Sequence, residues 1–231
     1  MKNYFKHLLI NFIFPKRKDK KSLIVSFIGV PGVGKSFIAH KLRLHNISPC
    51  RLGANSAKKI ANHLNISISQ KHKKIIDFFQ NNYPKLSRTQ LLAEIYSRSI
   101  NRNIYVDESI LNRYPTNVLK DFYKKEPKLF KDFFKSTLVI CVEDTPENIL
   151  KKVNNRITKG KEHAGYKANS DKENLQKITK SVKEFKDKIK FLKTCTNIFE
   201  IQAQLPLHQK IKICKKKIKE FDKQISSNIT S

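Results

Sequence analysis

The chain has 231 residues, 39% of them hydrophobic, with 6 glycines and 8 prolines, which suffices for one α/β domain with a sizeable core and excludes a wholly disordered protein. A formal net charge of +29 admits a nucleic-acid or anionic-membrane partner, because clustered basic side chains displace counterions from phosphates. Only eight of the 48 basic residues are arginine, and phosphate and base recognition favours Arg, so a nucleic-acid partner is admitted but not favoured.

Residues 1–21 hold an apolar run near Leu8 to Phe14, broken by Asn11 and closed by Pro15. The run is shorter than the roughly 20 apolar residues that span a bilayer, and no small-residue cleavage site follows it. Two readings remain. Either the segment is a short helix packed on the domain, or Phe5, Leu8, Leu9, Phe12 and Ile13 dip into lipid beside the basic cluster PKRKDKK. The chain therefore reads as cytoplasmic, with peripheral contact to the inner face of a membrane as the second possibility.

Residues 22–225 form the expected domain, and 226–231 an expected frayed tail. The apolar run LIVSFI, 23–28, suits a strand buried on both faces. Further strands are expected near 103–108, 137–143 and 197–203, with a weaker one around 47–52. Helical spacing is predicted over 35–45, 70–80, 87–101, 146–156 and 171–192, and a last helix carries Leu207, Ile211, Cys214, Ile218, Phe221 and Ile225 on one face. Alternation of strands and helices implies right-handed βαβ units, hence a doubly wound parallel sheet that binds its ligand at the strands' carboxyl edge.

The segment GVPGVGKS, 29–36, matches G-x-x-x-x-G-K-[ST] between a strand and a helix, which is the context that motif requires. Gly29, Gly32 and Gly34 let the backbone curl around phosphate oxygens, with Val30, Pro31, Val33 and Phe37 completing the nucleotide-binding stretch. Lys35 would neutralise the β- and γ-phosphates. Ser36 would offer a hydroxyl to Mg²⁺, which takes few protein ligands. Asp107 and Glu108 end the IYVDE run, where an acidic group can hold hydrated Mg²⁺ or orient a nucleophile. Asp107 is the metal-side candidate; Glu108 is either a general base or a cap for the next segment.

With these motifs in place, the chain resembles the P-loop kinases of the nucleoside and nucleotide kinase group, thymidylate kinase in particular, over about residues 22–225. The resemblance implies ATP with Mg²⁺, a helical acceptor lobe over 50–102 and a short lid over about 156–170. LLAEIYSR is similar to the helix preceding that family's acidic strand, and makes Arg98 a contact for the acceptor's phosphate. VDESILNRYP is similar to its D-R-Y region, with Glu108 where the family has arginine and Arg113 as the replacement. DTPENILKKVNNR resembles the helix into the lid, capped by Thr145 or Asp144, and makes Arg156 a catalytic and nucleotide contact. Lys159, Lys161 and Lys167 are lesser lid candidates, and residues 203–206 the purine-side loop. Arg51 is a further acceptor candidate. Beside these roles stand simpler ones: Arg156 favouring a helix dipole, Arg98 and Arg113 as surface charge.

The function expected is an ATP-dependent kinase that moves the γ-phosphoryl group to a small acceptor, a nucleoside or nucleotide first. A nucleotide-dependent ATPase or switch, or a kinase acting on a sugar, glycan or polynucleotide, is the alternative. Cys50, Cys141, Cys195 and Cys214 lack metal-ligand spacing, and the histidines, His40 and His163 among them, show no paired arrangement.

Overall fold

The computed structural model describes residues 23–43, 50–51, 68–84, 91–92, 94–95, 98, 104–106, 109–160, 166 and 170–227. Segment 1–21, and with it the membrane-contact reading, lies outside the described residues, as do Asp107, Glu108, Lys161, His163 and Lys167. No helix among the described residues is long and apolar enough to cross a membrane.

Five parallel strands are ordered β2-β3-β1-β4-β5. They are β1 (Ile24–Ile28), β2 (Cys50–Arg51), β3 (Ile104–Val106), β4 (Thr137–Glu143) and β5 (Asn197–Gln202). All five expected strands exist, and the weak one is the two-residue edge β2. Central β1 and β4 are near-continuous apolar runs because helices cover both faces of the sheet. On one face Val25, Phe27, Leu138, Ile140 and Val142 pack against α1 (Lys35–Arg43) and α8 (Leu207–Ser227). On the other, Ile28, Val139 and Cys141 meet α2 (Gln70–Asn82), the segment 110–134 and the end of α7 (Asp171–Leu192).

The segment 110–134, in a gap between strands where helix is expected but no span stands out in the sequence, forms three: α3 (Ile110–Arg113), α4 (Thr116–Lys125) and α5 (Pro127–Phe134). Pro115 and Pro127 punctuate it, and Pro127 opens α5 in the first-turn position where a missing N–H costs nothing. Each piece is too short to show a long periodic signal, yet Val118, Leu119, Phe122, Phe130, Phe133 and Phe134 are all buried. The helix expected over 87–101 is described only in part, residues 91, 92, 94, 95 and 98 being helical.

Before the expected lid, α6 (Pro146–Thr158) starts at Thr145, whose hydroxyl accepts from the Asn148 N–H at 3.3 Å. Thr145 is thus the cap, while Asp144 accepts from the Thr145 N–H and Asn148 Nδ2. Helix α7 opens on a capping box between Ser170 and Glu173. The last helix runs to Ser227, two residues into the stretch expected to fray.

A buried ion pair ties the helical layer to the sheet. Glu94 Oε1 and Arg98 Nη2 lie 2.6 Å apart, one helical turn from each other, with side chains 2% and 5% exposed. Glu94 Oε2 accepts from the Ile110 N–H at the start of α3. Arg98 Nη1 donates to the Phe133 carbonyl at 2.8 Å and to Thr137 Oγ1 at 2.9 Å, and the guanidinium stacks 4.0 Å from the Phe133 ring centroid. One residue thereby joins the helix, α5 and the first residue of β4. Removing one partner from such a pair strands the other charge, so Arg98→Met is expected to lose about 3–5 kcal/mol of unfolding free energy. Urea unfolding checks this, and a loss below about 1 kcal/mol would show that the pair does not hold the layer.

Candidate functional site

The glycine-rich loop leaves the buried end of β1 and enters α1 at Lys35. Gly29, Gly32 and Gly34 have φ of +156°, +88° and +100°, a region that favours residues without a Cβ. At Gly29 the constraint is also steric: a Cβ there would meet the Val142 carbonyl oxygen at 2.8 Å and Val33 Cγ1 at 3.0 Å. The loop is thus pressed against β4 at the sheet's carboxyl edge.

Its first peptide is held from both sides. The Gly29 N–H donates to Asn112 Oδ1 at 3.1 Å, and the Gly29 carbonyl accepts from Lys35 Nζ at 2.8 Å. Lys35 also reaches the Val30 carbonyl at 3.3 Å, so its ammonium folds back over the start of the loop. Among the described residues, the N–H groups of Gly32, Gly34 and Ser36 donate to no other protein group. Such undirected donors at a helix N-terminus, beside an ammonium, fit an oxyanion of a nucleotide phosphate chain. Ser36 is exposed at the first turn of α1, in place to offer its hydroxyl to a hydrated Mg²⁺. Among the described residues no group of three His, Cys, Asp or Glu side chains offers a protein-only metal cage.

A cleft of about 560 Å³ opens beside the loop, lined by Gly29, Val30 and Pro31, by Asn112, Arg113, Thr116 and Asn117, and by Ser181, Glu184, Phe185 and Lys188 of α7. The outgoing connections of β1 and β4 run in opposite directions, β1 toward β2 and β4 toward β5, and a crevice outside the carboxyl ends is the usual consequence. Lys188 Nζ donates to the carbonyls of Tyr114 at 2.8 Å and Asn112 at 3.3 Å. Burial pulls its amine down to about 8 from 10.5, partly opposed by the charge of Glu184.

Beneath the loop, Val30 packs in one cluster with Tyr166 of the expected lid, Ile149 and Val153 of α6, and Ile178 and Val182 of α7. The Tyr166 carbonyl accepts from Asn174 Nδ2 at 3.0 Å. Residues 156–158 are still helical, so the connecting segment begins after Thr158. At the far side of β4, Ala203 N–H donates to the Glu143 carbonyl at 2.8 Å, and Gln204 Nε2 to Asp144 Oδ1 at 2.9 Å. Those bonds anchor the 203–206 turn to the start of α6.

Of the residues expected from the sequence, Gly29, Val30, Pro31 and Arg113 line one cleft. Phe37 is 56% exposed. Arg156 is exposed in the last turn of α6 and is not part of the cleft wall. Arg51 lies on edge strand β2, two strands from β1. Arg98 is turned into the core on Glu94 and does not reach the cleft. Sequence reasoning did not single out Asn112, Ser181, Glu184 or Lys188. Lys188 carried a readable signal, since it interrupts the apolar stripe of Ile178, Val182, Phe185, Ile189 and Leu192.

No family model matches the chain, and no curated protein does. Among solved structures, it is similar to a gluconokinase from Sinorhizobium meliloti 1021, at 12% identity and TM-score 0.48, covering 90% of this chain and 98% of that one. A deoxyadenosine kinase from M. mycoides with bound dATP follows at 13% identity and TM-score 0.47, covering 85% and 100%. A putative kinase from Chloroflexus aurantiacus gives 10% identity and TM-score 0.43, covering 85% and 98%. All three are described as kinases, but at these scores the likeness carries no argument about this chain's chemistry, which rests on its own site.

Two substitutions separate steric from conformational demands in the loop. Gly29→Ala meets both a positive φ and the Val142 carbonyl, whereas Gly34→Ala has open space and only the positive φ. Strain of this kind costs about 1–3 kcal/mol per residue. Gly29→Ala is expected to lower unfolding free energy more than Gly34→Ala in parallel urea titrations, and equal losses would contradict the contact with β4.

Proposed function

We propose that the chain is an Mg²⁺- and ATP-dependent kinase that transfers the γ-phosphoryl group to a small acceptor, a nucleoside or nucleotide being the class the sequence resemblance favours. The observation that carries this reading is the left-handed glycine loop with Lys35 folded over its first peptide, beside a cleft of about 560 Å³ with polar and apolar walls. Loop amides bind the phosphate chain and Lys35 neutralises charge at its β- and γ-groups. Mg²⁺, when bound, would neutralise charge on the phosphates, and Ser36 and Asp107 would hold it. The acceptor's hydroxyl oxygen attacks the γ-phosphorus, the bond to the β,γ-bridging oxygen breaks, and ADP leaves. The hydroxyl proton passes to an acidic side chain, for which Glu108 is the candidate in the sequence order after β3. Arg156, at the end of the helix that leads into the expected lid, supplies positive charge to the transferring group when the lid closes, and Arg113 faces the acceptor.

This assignment asks for positioning and electrostatics and for no covalent enzyme intermediate. It is tested by ATP consumption with Mg²⁺ across nucleosides, nucleotides, sugars, sugar acids and short oligonucleotides. Turnover should depend on one acceptor class and fall at least about 100-fold in Lys35→Ala, the scale of losing one preorganised charge contact. Turnover that is indifferent to every acceptor yet lost in the variant would instead make the chain a nucleotide-dependent ATPase or switch.

A further inference from the structure

The cleft wall contains a buried ammonium that forms no ion pair among the described residues, with Glu184 on the same wall as its charged neighbour. The Lys188 side chain comes from the second-last turn of α7, and the residue is only 9% exposed. Its two bonds go to the neutral carbonyls of Asn112 and Tyr114. An ammonium has three donors, so one remains. Among the described residues no carboxylate lies within ion-pair distance of it; Glu184, one turn earlier on the same helix, is exposed and acts on it only through its charge. Buried charges are ordinarily paired, because desolvating a lone one is costly. Here the cation forms part of the wall of a cleft that the start of the glycine loop also lines.

The same cation is tied to that loop through one residue. Lys188 holds the main chain of Asn112, and the Asn112 side chain holds the Gly29 N–H. The loop end in question is the one Lys35 covers, through the carbonyls of Gly29 and Val30. That is the β/γ end of a phosphate chain in this motif. An acceptor in the cleft therefore lies between the emerging phosphoryl group and the Lys188 ammonium. Arg113 adds a second cation on the same wall, Ser181, Thr116 and Glu184 offer oxygen acceptors for hydroxyl groups, and Phe185 with Pro31 gives an apolar surface.

Resting on the kinase reading above, we propose that this cleft is the acceptor site and that Lys188 binds an oxyanion carried by the acceptor itself, a phosphate or a carboxylate. The acceptor class is then an acidic, hydroxyl-bearing small molecule, such as a nucleoside monophosphate or a sugar acid, in preference to a neutral nucleoside or sugar. The volume of about 560 Å³ lies in the range of sites for molecules of that size.

Calorimetric titration of the full chain tests this without turnover, using adenosine against AMP, thymidine against TMP and glucose against gluconate, each with Mg²⁺ and the non-hydrolysable analogue AMP-PNP present. At least one anionic member is expected to bind ten-fold or more tightly than its neutral partner. Lys188→Met should abolish that preference and Lys188→Arg should retain a part of it, with circular dichroism confirming that both variants fold. Equal affinity within every pair, absence of binding by every anionic member, or a preference that survives in Lys188→Met would overturn the proposal. So would loss of AMP-PNP affinity in Lys188→Met with the acceptor preference intact, since the cation would then serve the nucleotide's own phosphates. Anion preference at Lys188 in a chain that binds no AMP-PNP would defeat the kinase reading while leaving the oxyanion site standing.

Discussion

The peptide of Gly29 is the point on which the arrangement depends. Its N–H is taken by Asn112, its carbonyl by Lys35, and its Cα lies so close to the Val142 carbonyl that a side chain has no room. Strands β1 and β4 and helices α1 and α3 are therefore registered against one another through a single backbone unit. Such close approach is possible only where the chain lacks a Cβ and tolerates a positive φ. Everything that a phosphate chain would touch is positioned by that contact.

Helix α7 plays the second organising role. Its C-terminal turns join the large apolar cluster through Ile189 and Leu192, while Ile178 and Val182 sit under Val30 of the loop together with Tyr166. Along the same length it contributes Ser181, Glu184 and Lys188 to the cleft wall. One rigid element thus links the core, the expected lid and the wall opposite the loop. The ion pair of Glu94 and Arg98 does comparable work on the other side, since it fixes α3, and with it Asn112, from below.

Much of this was legible in the sequence where the signals are local. The glycine loop combines a motif with its strand and helix context, and the buried strands β1 and β4 announce themselves as near-continuous apolar runs. Helices α3 to α5 escaped because two prolines cut the segment into pieces of 4, 10 and 8 residues, too short for a helical period to stand out. The resemblance of LLAEIYSR to a thymidylate kinase helix makes Arg98 a contact for an acceptor, with surface charge as the simpler reading, and neither places it in the core. Its real partner, Glu94, was four residues away, and the spacing of an i,i+4 pair was there to be read. Lys188 shows the reverse case, a charge placed on an apolar stripe, which a helical projection reveals but only the tertiary structure explains. The cleft itself is built from three separated segments and has no signature in any one of them.

The central claim is that the 29–36 loop holds the phosphates of ATP. Hydrogen exchange of the peptide spanning residues 26–42, followed with and without Mg²⁺ and ATP, tests it most directly. The account predicts slowed exchange at the loop amides on addition of nucleotide, and no slowing in Lys35→Ala at the same concentration. Unchanged exchange across the loop at saturating nucleotide, or equal protection in the variant, would contradict it.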